Sequence, residues 1–198
     1  MAERISRSFF RRDATTVARA LLGQSLVRVQ NGRRLAGYIV ETEAYLGVLD
    51  KAAHTYNARR TPRNESMWRD GGHTYVYFTY GMHFCLNVVA GRRDEPVAVL
   101  LRALEPLEGV NVMYRYRKKA RRDADLCSGP AKLTEALAID REFDGIDLIR
   151  DSRLFIEHAH CPDNVVESPR IGVGYAEEWA DRPLRFFIKN NPHVSRKS

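Results

Sequence analysis

Ser25-Leu26-Val27-Arg28-Val29-Gln30-Asn31-Gly32-Arg33-Arg34-Leu35-Ala36-Gly37-Tyr38-Ile39-Val40-Glu41-Thr42-Glu43-Ala44-Tyr45 is the stretch on which the fold turns. Asn31-Gly32 suits a tight primed turn, so Ser25 to Gln30 and Leu35 to Tyr45 read as an antiparallel hairpin. Upstream, Asp13 can cap a helix in which Val17, Ala18, Leu21 and Leu22 recur at helical spacing before Gly23 ends it. Downstream, residues 50–72 lack periodicity and carry Pro62, Asn64 and Gly71-Gly72. They read as a long loop, and such loops in compact domains are usually functional. Thr74 to Thr79, Phe84 to Ala90 and Val97 to Ala103 are three further strand patterns, with a turn at Gly81. A helix is expected from Leu107, Val110 and Tyr114 into the basic run Arg115 to Arg122. Another opens at Gly129-Pro130 and carries Leu133, Leu137 and Ile139. Leu154 to Glu157 and Leu184 to Ile188 complete the strands. Short strands with few helices point to α+β and not to a doubly wound sheet.

Composition sets the outer limits. The 198 residues suit one domain with a sizeable core. At 44% hydrophobic and 29% charged, the chain has a globular and not a disordered composition. Thirty-two Lys and Arg against 25 Asp and Glu give a formal charge of +7. That excess favours anionic partners: nucleic acid, an acidic membrane surface or a phosphorylated ligand. No apolar run approaches the roughly 18–20 residues of a membrane span, and Met1 to Arg12 lacks a secretory signal pattern. Cys85, Cys127 and Cys161 are odd in number and widely spaced, which fits a reducing, cytoplasmic compartment better than a disulfide framework.

Several constellations can carry chemistry. Period-two alternation along Leu35 to Tyr45 places Ile39, Glu41, Glu43 and Tyr45 on one face. Two carboxylates ending an apolar strand are a general base or metal ligands, unless the strand emerges into solvent there. Tyr75-Val76-Tyr77-Phe78-Thr79-Tyr80 is ordinary sheet core by residue type, yet aromatics in a basic chain also stack on bases. The six Lys or Arg among residues 115–122 are a solvated helix end or a phosphate contact. Cys127-Ser128-Gly129-Pro130-Ala131-Lys132 opens a helix whose N-terminus can hold a phosphate or only water. His158-Ala159-His160-Cys161 places two histidines on one strand face, but no zinc spacing supports it. Gly172-Val173-Gly174 lacks the third glycine of a dinucleotide fingerprint, and no Walker lysine appears, so no nucleotide cofactor is expected.

Taken in order, these segments resemble the alkyladenine (3-methyladenine) DNA glycosylase family. The matching residues are Ala18-Arg19-Ala20-Leu21-Leu22-Gly23, Ile39-Val40-Glu41-Thr42-Glu43-Ala44-Tyr45, Ala53-His54, Thr61-Pro62-Arg63-Asn64, Tyr75-Val76-Tyr77, Tyr80-Gly81-Met82 and Phe84-Cys85-Leu86-Asn87. They continue through Leu100 to Gly109, Leu126-Cys127-Ser128-Gly129-Pro130, Arg170-Ile171-Gly172-Val173-Gly174 and Pro183-Leu184-Arg185-Phe186. A lone Glu-Thr-Glu is weak evidence; the ordered set is specific and runs from about Phe9 to Ser195.

The resemblance implies a monofunctional glycosylase of base excision repair, without metal or cofactor, acting on damaged purines in double-stranded DNA. It implies that Glu43 activates a water against C1′ and that Arg102 helps hold that water. Tyr45, His54 and Tyr77 become the walls around the extruded base, and Asn87 a pocket residue that disfavours the guanine amine. Tyr80 becomes the side chain that intercalates in the vacated stack. The fold expected is one α+β domain over 1–198, a curved, mainly antiparallel β-sheet core surrounded by helices, with 1–8 a flexible N-terminus. A monomer is expected. Phe78, Thr79, His83 and residues 55–60 depart from the family pattern, which bears on substrate range. Two other readings are a metal-dependent nuclease using Glu41, Glu43 and Asp50, and a DNA-binding module that recognises damage without turnover.

Overall fold

The computed structural model describes residues 3–196. The hairpin forms as expected: β1 (Ser25–Gln30) and β2 (Arg33–Tyr45) pair antiparallel around Asn31-Gly32, both with positive φ. β2 is the hub of the sheet. One edge pairs with β5 (Val97–Glu108). The other pairs first with β1 and then, over Glu41–Glu43, with β8 (Arg185–Ile188). β3 (Thr74–Thr79), β4 (His83–Ala90), β6 (Leu154–Glu157) and β7 (Val165–Ser168) complete an eight-stranded sheet. Every strand pair is antiparallel. The result is an α+β domain built on one curled sheet.

Helices cover one face. After the short α1 (Arg7–Phe10), Asp13 accepts from the Thr16 N–H and starts α2 (Ala14–Leu21). Val17, Ala18 and Leu21 of α2 are fully buried against Leu35, Ile39, Ala44, Leu101 and Leu104 of the sheet. Truncating Leu21 to Ala costs about 2–5 kcal/mol. α3 (Val110–Tyr116) and α4 (Pro130–Ala136) close the same core, with Met113, Leu133 and Ala136 buried. Gly109 turns the chain from β5 into α3 at φ +71, where a Cβ would meet the Arg34 carbonyl at 2.6 Å.

Several sequence expectations change. β5 does not stop at Ala103: it continues through Pro106 and Leu107 to Glu108, and the following helix starts only at Val110. Pro106 is tolerated because β4 pairs only with Val97–Leu100 and the bridge to Ser128 lies at Ala103, so at Pro106 itself the only strand partner is β2. α3 ends at Tyr116, before most of the basic run, where like charges at helical spacing would repel. α4 ends before Ile139, and His158 to Cys161 lie past the end of β6, on no strand. β7 is an edge strand that its four residues did not announce. Of the N-terminal segment 1–8, residues 1–2 lie outside the described residues, Ile5 is buried, and Arg7 pairs with Asp147.

The largest departure lies within β2. Ile39 faces α2 in the main core, whereas Val40 packs on the opposite face with Ala103 and Phe187, and Glu41 points to that side too. Ile39 pairs with Leu104 but Glu41 with Ala103, so Val40 is an extra residue. Thr42 then pairs with Leu101, so Arg102 is an extra residue on β5. These two bulges sit side by side, where bulges re-aim side chains beside functional sites.

Candidate active site

The bulges place four charged side chains in one buried cluster on the face away from α2. Glu41, Glu43, Arg102 and Arg185 are all buried there. Glu43 Oε1 accepts from the Ile171 N–H at 2.7 Å and pairs with Arg102 Nη1 at 3.3 Å. Its Oε2 accepts from the Tyr45 hydroxyl at 3.0 Å. Arg102 Nε donates to Glu41 Oε1 at 3.1 Å, and Arg185 Nε to the same oxygen at 2.7 Å. Two carboxylates against two guanidiniums leave the cluster neutral, the condition under which buried charge is tolerated.

A second buried pair supports this arrangement from behind. Arg170 donates to Asp50 at 2.6 and 2.9 Å and to the Ala44 carbonyl at 3.0 Å. Asp50 also accepts from the Leu46 and Ala52 N–H groups, fixing the chain that leads from β2 to His54. The Arg170 guanidinium lies 4.7 Å from the Tyr45 ring centre, and its neighbour in sequence supplies the N–H on Glu43. One ion pair thereby positions Tyr45, the His54 loop and the Ile171 amide.

Above the cluster lies a cavity of about 250 Å³ whose wall includes Tyr45, His54, Tyr75, Tyr77, Asn87 and Arg102. Glu43 lies beneath that wall, screened by Tyr45, Arg102 and Ile171, and has no exposed surface. Tyr75 and Tyr77 stack at 5.3 Å, and His54 meets Tyr77 edge-on at 4.6 Å. His54 Nδ1 shares a hydrogen bond of 2.7 Å with the Tyr75 hydroxyl. Asn87 Nδ2 donates to the Tyr75 carbonyl at 3.1 Å, which fixes its amide at the cavity wall.

Burial, followed by the neighbouring Arg63 and Arg59, lowers the His54 imidazole below its ordinary value. Burial and then the Glu43 charge lift the Tyr45 phenol well above its range, so it remains a donor to Glu43. Burial works against the Arg102 charge, but Glu43 and Glu41 outweigh it and hold the guanidinium above its usual value. The Cys85 thiol on the same wall is pushed up by burial, as expected of an inert thiol.

Tyr80 reaches the rim of this cavity and projects beyond it. It is 86% exposed at the tip of the β3–β4 hairpin with φ +50, and Met82 beside it is 70% exposed. Two large apolar side chains presented at a hairpin tip have no core to serve. The tyrosine run therefore differs in exposure: Tyr75 is buried in the cavity wall, Tyr77 is partly open beside it, and Tyr80 projects outward from the rim.

The sequence-predicted residues Glu43, Arg102, Tyr45, His54, Tyr77 and Asn87 thus converge from β2, β3, β4, β5 and the loop after β2. Glu41, Glu43 and Asp50 do not form a common carboxylate site. Glu41 and Glu43 share Arg102, Asp50 is taken by Arg170, and no metal-binding group of three acidic, His or Cys residues occurs among the described residues. Sequence reasoning gave no role to the Ile171 amide, to the Asp50–Arg170 pair or to Arg185. Arg170, Ile171 and Arg185 lay within the matched segments, but their partners are more than a hundred residues away.

The chain is similar to known proteins over nearly its whole length. Residues 8–192 match the family model described as methylpurine-DNA glycosylase. A mouse protein named DNA-3-methyladenine glycosylase is 48% identical over 97% of this chain and 61% of its own length. The human protein of the same name is 47% identical over 97% of this chain and 68% of its own. A relative from Natranaerobius thermophilus is 44% identical over 94% of this chain and 96% of its own. The chain spans about three-fifths of the mouse relative and nearly all of the bacterial one.

Proposed function

The chain belongs to the methylpurine-DNA glycosylase family, and from that membership we propose that it is a monofunctional, monomeric DNA glycosylase of base excision repair. It acts on double-stranded DNA, extrudes an alkylated or deaminated purine and hydrolyses the N-glycosidic bond, leaving an abasic site. The observation that carries this reading is a fully buried Glu43, held by three donors, beneath an aromatic cavity large enough for a purine.

A base within a duplex is out of reach, so it must be unstacked, and damaged or mispaired bases cost least to extrude. Tyr80 enters the vacated stack from its exposed hairpin tip. The base lies between Tyr45 on one side and His54 with Tyr77 on the other. Electron-deficient cationic purines gain most from such walls. Asn87, tied to the Tyr75 carbonyl, is the wall residue that disfavours the exocyclic amine of normal guanine.

Water held by Glu43 together with Arg102 adds to C1′ as the bond to the purine nitrogen breaks. The bonding pair leaves with the base, and Glu43 takes the proton released by the water. A cationic alkylpurine departs neutral and needs no acid. While the sugar is cationic, the carboxylate also stabilises it electrostatically. The net charge of +7 supplies phosphate contacts that are sequence-independent and salt-dependent.

The test is single-turnover base release with enzyme in excess over duplexes bearing hypoxanthine or 7-methylguanine, with alkali to reveal abasic sites. Release that persists in EDTA is expected. Loss with chelator would favour a metal-dependent nuclease, and binding without abasic product would favour a damage-binding module.

A further inference from the structure

Residues 191–196 follow β8 and turn back over the paired bulges. Asn191 Nδ2 donates to Glu105 Oε2 at 2.7 Å. Val194 is buried in a small apolar socket made by Val40, Ala103 and Phe187, two of them bulge residues or their neighbours. That seat brings Ser195 onto Glu41: its N–H donates to Oε2 at 2.7 Å and its hydroxyl to Oε1 at 3.0 Å. The Arg196 carbonyl accepts from Arg185 Nη2.

Arg102 is thereby held by three acceptors from three different residues. Nε meets Glu41, Nη1 meets Glu43, and Nη2 meets the Ser195 hydroxyl at 3.4 Å. A planar guanidinium fixed at three corners cannot rotate away from Glu43 without breaking two other contacts. Glu41 in turn receives four donors: Arg102, Arg185, and the Ser195 N–H and hydroxyl. Two of the four come from Ser195, so an unseated tail leaves a buried carboxylate short of half its donors.

We propose that Glu41 and Ser195 are positioning residues for the Glu43–Arg102 pair, and that segment 191–196 is the clasp that fixes it. Glu41 touches neither the cavity nor the base; it acts through Arg102. The kinetic part of the proposal rests on the glycosylase reading, because it is base release that a misplaced Arg102 impairs.

Full-length variants separate the contacts. Val194→Asp ejects the tail from its socket, Ser195→Ala removes the hydroxyl alone, Ser195→Pro removes the hydroxyl and the N–H together, and Ser195→Thr retains both groups. Single-turnover base release is expected to fall about 100-fold in Val194→Asp, the scale of a small misplacement of a reacting group. It should fall about tenfold in Ser195→Ala, the worth of one hydrogen bond, with most of that recovered in Ser195→Thr. Affinity for lesion duplex should stay within about twofold throughout, whereas general unfolding would lower rate and affinity together.

A second readout does not depend on activity. The Arg102 Nε–H, followed by nitrogen-15 NMR, should exchange slowly with solvent in the parent protein and rapidly in Val194→Asp. Unchanged release rates in folded Val194→Asp and Ser195→Pro would overturn the clasp, as would an Arg102 Nε–H that stays protected in both. A parent protein that releases no base would instead overturn the glycosylase reading, and the exchange measurement would still decide the clasp.

Discussion

Replacing Glu43 by Gln changes one oxygen to an amide nitrogen, and the surroundings dictate which one. Oε1 faces two donors, the Ile171 N–H and Arg102, so the amide must keep its oxygen there. Its NH2 group then faces the Tyr45 hydroxyl, which can rotate to accept instead of donate. The variant therefore folds with its cavity intact and binds lesion duplex within a few-fold of the parent protein. Base release is another matter. Loss of a general base costs about 10²–10⁴ in rate, or roughly 3–5 kcal/mol of barrier. The upper half of that range applies, because no other carboxylate is free to take over. Glu41 is engaged by four donors, and Asp50 is held by Arg170 and two backbone N–H groups. We expect release slowed by about 10³–10⁴ under single-turnover conditions, read as alkali-labile sites, with binding followed by fluorescence anisotropy at fixed salt. A Gln variant that releases base at the parental rate would remove Glu43 from the reaction. One that loses lesion affinity in the same proportion as rate would mean that the carboxylate supports the cavity and not the chemistry.

Other perturbations probe the frame around this site. Asp50→Ala strands the buried Arg170 and two N–H groups, so urea denaturation should show a loss of about 3–5 kcal/mol; a loss under 1 kcal/mol would contradict the pairing. Tyr80→Ala removes an exposed side chain, so stability should change by less than about 0.5 kcal/mol. Its preference for lesion over undamaged duplex should meanwhile fall about tenfold, the scale of one stacking contact, and an unchanged ratio would discard the wedge. The His54 imidazole has its proton affinity lowered in the folded state, by burial and then by Arg63 and Arg59. The unfolded chain binds that proton as pH falls below about 6.5, so the His54 contribution to stability is complete above that pH and declines below it. The urea midpoint should drop less between pH 7 and pH 5 in His54→Gln than in the parent protein.

Much of the frame was legible because its signals are local. Asp13 before an apolar stripe, Asn31-Gly32 between two strand patterns and Pro130 behind Gly129 each specify a structure within a few residues. The candidate site was legible through the ordered family segments, which marked Glu43, Tyr45, His54, Tyr77, Asn87 and Arg102 before any geometry was known. Periodicity failed at Val40, because a bulge is decided by the partner strand. Simple alternation put Ile39 with the carboxylates, whereas it belongs to the core beneath α2. Spacing alone made Glu41 look like a metal ligand or a base. Its partners, Arg102, Arg185 and Ser195, are 61, 144 and 154 residues away. Composition pointed the excess positive charge toward anionic partners without choosing one, and Arg102, Arg170 and Arg185 are buried counter-ions that contribute nothing to a phosphate footprint.

The paired bulges also limit how the gene encoding this chain can change length. Val40 and Arg102 act as an insertion and its suppressor: the register at Ile39 with Leu104 resumes at Thr42 with Leu101. Deleting the Val40 codon alone would leave every later β2 side chain on its present face, because Ile39 points inward while Val40 and Glu41 both point outward, but it would make Arg102 a lone bulge on β5 and remove one wall of the socket that holds Val194. Deleting codons 40 and 102 together would match the two strands residue for residue, at the cost of the arginine that holds Glu43. A single loss near Glu-Thr-Glu therefore leaves one unmatched bulge, which bends and twists the strands under the site, whereas a paired loss leaves them straight. A functional lineage should keep the spacing of these two strands fixed even where their side chains drift.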